Sequence, residues 1–127
     1  MKLLLDTHAF LWFVFGDAKL SASARLAIED PGNDVALSLA SIWEMTIKHG
    51  LGKLPLNAPL PAFIDREVSA NAIEVVPVTR QHIYRLLTLP DAHRDPFDRL
   101  IAAQCLEESR TLVSVDKAFD LLGVPRI

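Results

Sequence analysis

One cysteine in 127 residues, Cys105, has no intramolecular disulfide partner, which fits a reducing compartment and argues against a crosslinked secreted scaffold. Positive charge is also scarce, with 13 Lys and Arg against 16 Asp and Glu and a net charge of -3. Proteins that coat nucleic acid nonspecifically draw their affinity from cations that neutralise phosphates, so that class is disfavoured, while a nuclease that recruits its own cations is not. No stretch approaches the roughly 20 apolar residues of a membrane span, and the expected location is cytoplasmic. The N-terminus carries a decoy: Lys2, the apolar run Ala9 to Phe15 and the small residues Ser21 to Ala24 imitate a secretory signal. Asp6 and His8 interrupt the apolar segment, and cleavage would remove the first strand.

Zinc chemistry is disfavoured as well, because His8, His49, His82 and His93 show no ligand spacing and only one Cys is present. Half of the residues are hydrophobic and 23% are charged, enough for a packed core and unlike a disordered chain. Residues 1–127 are expected to form one domain.

Apolar Leu3 to Leu5 reads as a strand buried on both faces, ending abruptly at Asp6, and Thr7 to Phe15 reads as a helix. Ser21 caps an expected helix over 22–29, which Asp30-Pro31-Gly32-Asn33 ends. A strand over 34–38 follows, then a helix from a Ser41 cap to His49, with Glu44 at capping-box spacing. Pro55, Pro59 and Pro61 mark a connector into a helix from Ala62 to about Ala70. Ile73 to Val78 reads as a strand, and Thr79 caps a helix to Leu87. Asp95-Pro96 opens a helix to Glu108. Thr111 to Val115 is β-rich and stops at Asp116, before a last helical turn or two over 117–122. Strands alternating with helices predict a mainly parallel sheet covered on both faces, a three-layer α/β/α sandwich.

Two acids, Asp6 and Asp116, thus close matching strands, where ligands bind in open parallel sheets. Glu44 and Asp98 fall in the first turns of expected helices. Each acid alone is equally read as a helix cap, a capping-box partner or a charge favoured near a helix start. Four carboxylates converging on one sheet edge would repel one another unless a cation sat among them. Hard oxygen donors suit Mg²⁺, and Mn²⁺ fits similarly. Such ions support phosphodiester hydrolysis.

Asp6-Thr7-His8, the segment Ser38 to Met45 with Lys48, Asp95 to Gln104, and Leu112 to Phe119 resemble, in this order, the motifs of the PIN-domain ribonucleases, and more narrowly of the VapC-type toxins. The resemblance implies Asp6, Glu44, Asp98 and Asp116 as a metal-binding catalytic quartet, with Thr7 and Ser114 as supporting hydroxyls. It also implies endoribonuclease activity on RNA with Mg²⁺ or Mn²⁺, a homodimer, and neutralisation by a small cognate antitoxin of the VapB type. Ser114 stands where the family often has Thr, keeping the hydroxyl.

A receiver domain would need a phosphorylatable Asp on a central strand, and none occurs between Asp34 and Asp65; an aspartyl phosphatase would need an acid where His8 stands. The remaining alternative is a noncatalytic RNA-binding or protein-interaction module on the same fold. Trp12, Phe13, Trp43 and Phe97 are expected in core or interface. Lys48, Lys53, Arg94 and Arg99 are candidates for guiding an RNA backbone, and Cys105 is expected to be a buried thiol.

Overall fold

Leu3, Leu4 and Leu5 are fully buried on strand β1 (Lys2–Leu5). Successive strand side chains point to opposite faces, so burial of all three requires cover on both. In the computed structural model, which describes residues 1–127, β1 is a central strand of a parallel sheet. Its neighbours are β2 (Asp34–Ser38) and β4 (Thr111–Val113), and β3 (Ile73–Val76) lies beyond β2, giving the order β3-β2-β1-β4. The register pairs Leu5 with both Leu37 and Val113. All four strands therefore end at the same edge of the sheet.

Leu3, Leu5, Leu37 and Val113 pack on one face against Phe10 of α1 (Thr7–Phe15), Ile28 of α2 (Ala22–Glu29) and Phe63 of α4 (Leu60–Ala70). Leu4, Ala36 and Leu112 pack on the other against Ile101 and Cys105 of α6 (Pro96–Glu108), and against Phe119 of a 3-10 turn over Lys117–Leu122. Each buried Leu, Ile, Val or Phe among them contributes roughly 1.5–3 kcal/mol relative to exposure. The result is the three-layer α/β/α arrangement with a parallel sheet.

Several boundaries differ from expectation, among them α4, which starts at Leu60, two residues before Ala62, with Pro61 in its first turn. Helix α3 (Leu39–Gly50) follows β2 without a gap, and its cap is Ser38, whose Oγ accepts the Ala40 N–H, in place of Ser41. Strand β3 ends at Val76, where Pro77 has no N–H to offer the ladder. Helix α5 (Arg80–Arg85) tightens into a 3-10 turn over Leu86–Thr88. Strand β4 ends at Val113, and its outer edge is closed by residues 125–127: the Leu112 N–H donates to Pro125, the Ile127 N–H to Leu112 and the Ser114 N–H to Ile127. Cys105 is buried, as expected, and burial pushes its thiol up to about 12.

Candidate metal centre

Asp6 leaves β1 directly into α1. Its Oδ1 accepts the Ala9 N–H at 2.6 Å, so it does cap the helix. It is also buried, at 6% exposure, and the β1–β4 register brings Ser114 opposite it, where the Ser114 Oγ accepts the Asp116 N–H at 3.0 Å. Burial raises its carboxyl above the ordinary range; Ser114, the Ala9 N–H and neighbouring His8 restrain the rise, and Glu44 adds to it.

The shift of the α3 start to Leu39 moves Glu44 into the second turn, and no capping box forms with Ser41. Ser41 is instead wholly buried, with its Oγ 3.0 Å from Thr7 Oγ1. Thr7 donates to Glu44 Oε1 at 2.6 Å, and Lys48 Nζ lies 3.0 Å from Glu44 Oε2. A hydroxyl has one proton. With that proton on Glu44, the Thr7–Ser41 contact is left to the Ser41 proton. Both oxygens of Glu44 are thus held.

Asp98 opens α6 as expected: Asp95 caps the helix, its Oδ1 accepting the Asp98 N–H at 3.0 Å, and Pro96 takes the first helical position. Burial pushes the Asp98 carboxyl up to about 6, against a lowering hydrogen bond from His93, and Asp95 and Glu44 repel it further. Asp116 divides its oxygens. Oδ1 accepts the Ala118 N–H at 2.9 Å, while Oδ2 faces His93 Nε2 at 3.9 Å. His93 Nε2 is 2.9 Å from Asp98 Oδ2, and one ligand atom each of His93, Asp98 and Asp116 lies within 4.8 Å of the others.

The structure therefore gathers Asp98 and Asp116 around His93. Asp6 and Glu44 lie outside that tight cluster, linked to it by charge: Glu44 repels both Asp6 and Asp98. Partly desolvated carboxylates that raise one another's pKa are a donor set in need of positive charge. Hard oxygen donors with one imidazole fit a divalent ion such as Mg²⁺ or Mn²⁺.

The family model of the PIN domain matches residues 3–124. The chain belongs to the PIN-domain family. It is 28% identical over 115 residues to ribonuclease VapC22 of Mycobacterium tuberculosis, covering 90% of this chain and 86% of that relative. Among solved structures, VapBC2 from Rickettsia felis, bound to a DNA fragment from its promoter, aligns with a TM-score of 0.76 at 17% identity over 100% of this chain and 98% of that one. VapBC-1 from nontypeable Haemophilus influenzae aligns with a TM-score of 0.68 at 16% identity, over 100% and 97% of the two chains. At such identities these structures support the PIN fold itself.

His93 is the residue of this PIN domain's acidic cluster that sequence reasoning missed. It lies in an irregular loop five residues before Asp98, where no periodicity or ligand spacing marks it. Two basic residues expected to face RNA are otherwise engaged: Lys48 pairs with Glu44, and Arg99 Nη1 donates to the carbonyls of Pro90 at 2.8 Å and His93 at 2.9 Å. Lys53 and Arg94 remain exposed.

Proposed function

We propose that this PIN domain is a metal-dependent endoribonuclease and the toxin of a toxin–antitoxin pair. The cluster of Asp98 and Asp116 around His93, with Glu44 coupled by charge to both Asp98 and Asp6, carries the reading, and the likeness to ribonuclease VapC22 and to VapBC complexes supports it. Mg²⁺ or Mn²⁺ would be held by these carboxylates, and when bound supplies positive charge against a phosphodiester and acidifies the attacking water. The protein's own contribution is positional. Thr7 orients Glu44, the Ala9 N–H orients Asp6, and the Ala118 N–H holds Oδ1 of Asp116 while Ser114 Oγ accepts its backbone N–H. The substrate reading is single-stranded RNA, whose backbone the exposed Lys53 and Arg94 would guide.

Two surfaces suit partners. A groove of about 250 Å³ beside Ser114, lined by Ala9, Trp12, Leu20, Ala24, Val115 and Ile127, fits an apolar segment of a small antitoxin. A basic side chain from that segment would meet the carboxylates next door. Exposed Leu39, Trp43 and Ile47 repeat every four residues along α3 and continue into Leu51 at its C-cap, a stripe that suits a second copy of the chain.

The test is incubation of total cellular RNA with the protein in Mg²⁺, Mn²⁺ or chelator, with mapping of cut ends. Cleavage that needs a divalent ion and stops on co-expression with a small partner protein is expected. Binding of RNA with no cut under any ion would overturn the enzymatic reading.

A further inference from the structure

We infer that His93 is a nitrogen donor to the acidic centre, so that this chain carries a mixed imidazole and carboxylate site that favours later first-row divalent ions over Mg²⁺. The inference rests on the metal-centre reading above and extends it to a residue outside the acidic quartet.

The placement of His93 is built. Its ring stacks edge-on against the buried Phe119, with centroids 5.6 Å apart and planes at 73°. Its backbone is pinned by Arg99, which ties the carbonyls of Pro90 and His93 to the first turn of α6, one residue after Asp98. The side chain is only 18% exposed, and Nε2 faces both Asp98 Oδ2 and Asp116 Oδ2. An imidazole can carry its single proton on either nitrogen. With the proton on Nδ1, the Nε2 lone pair points to the space shared with the two carboxylates.

The donor chemistry then sets ion preference. Carboxylates alone suit Mg²⁺ and Mn²⁺, whereas imidazole adds affinity along the series from Mn²⁺ to Ni²⁺ and Cu²⁺. Mg²⁺ dehydrates reluctantly and gains little from a nitrogen ligand. The bland alternative is that His93 merely hydrogen-bonds Asp98 and has no part in ion binding.

Pulsed electron paramagnetic resonance of Mn²⁺ bound to the full chain decides between them, read on wild-type protein with ¹⁴N- or ¹⁵N-labelled histidine. A nitrogen coupling that changes with the histidine isotope is expected, and it disappears in His93→Gln but persists in His8→Gln. By calorimetry, Ni²⁺ affinity should fall at least about tenfold in His93→Gln, on the scale of losing support for a metal ligand, with Mg²⁺ affinity much less affected. Bound Mn²⁺ without histidine nitrogen coupling, or coupling lost in His8→Gln instead, overturns the His93 assignment and leaves the metal centre standing. Failure of wild-type protein to bind Mn²⁺ overturns both.

Discussion

Thr7 Oγ1 donates to Glu44 Oε1 at 2.6 Å, joining the first residue of α1 to the second turn of α3. The hydroxyl beside the first acid thereby sets the orientation of another acid, 37 residues away. Thr7→Val keeps the shape and removes the proton. Glu44 is then left buried with one oxygen unpaired, which should cost about 1–3 kcal/mol and weaken cleavage, whereas Thr7→Ser should retain most of both. Thermal unfolding and an RNA cleavage assay on the two variants check this, and a Thr7→Val protein as stable and active as wild type would remove Thr7 from any supporting role.

Asp95 and Asp98 are close in sequence but differ in work. Asp95 caps α6, and Asn caps about as well as Asp, so Asp95→Asn should keep much of the cleavage. Asp98→Asn should lower cleavage about a hundredfold or more, on the scale of losing one electrostatic contact at a reacting centre. Its metal-free stability should be unchanged or slightly higher, because a repelled charge is removed. An active Asp98→Asn beside a folded but dead Asp95→Asn would reverse the assignment.

Stability of the metal-free protein should fall as pH rises. The Asp98 carboxyl is pushed up to about 6 from 3.8 when folded. Between those values the folded state keeps a proton that the unfolded state has lost, so ionisation works against folding as pH climbs. Asp6, raised by burial, acts in the same direction. A shift of this size bounds the effect of Asp98 at about 3 kcal/mol, and partial exposure reduces it to roughly 1 kcal/mol. Urea unfolding in chelator across this range should show the decline, with a shallower slope in Asp98→Asn. Stability that increases over the same interval contradicts it.

Trp43 is 60% exposed and rests edge-on against Phe97 at 5.0 Å between ring centroids. It lies mid-stripe on α3. If that stripe meets a second copy, Trp43→Glu should shift sedimentation from dimer to monomer and leave the monomer's unfolding little changed, since an exposed side chain contributes little to the core. A wild-type protein that sediments as a monomer at all concentrations removes the dimer proposal.

The α6 start was legible because Asp95-Pro96 combines a cap with a residue that tolerates only the first turn, and the structure obeys both. The α3 start was misread for a related reason: Ser38 and Ser41 are both good caps three residues apart, and local chemistry cannot choose between them. Tertiary contact chose, since Ser41 and Glu44 face Thr7 on another helix. His93 was invisible because its meaning comes from Phe119, Arg99 and Asp116, which only folding brings to it. Asp6 was legible at a strand end because β1 is short and apolar and stops there, whereas Asp116 stands three residues beyond Val113, where β4 ends, and not at the strand end expected for it.

The pairing of β1 with β4 also has a consequence during synthesis. The first strand made lies beside the last, so Asp6 waits on the growing polypeptide until β4 emerges from the ribosome and docks. A chain stalled before residue 111 holds Asp6, Glu44 and Asp98 but has no Asp116, no Ser114 opposite Asp6 and no Phe119 behind His93. The proposed centre can therefore assemble only once β4 has been made and has paired with β1.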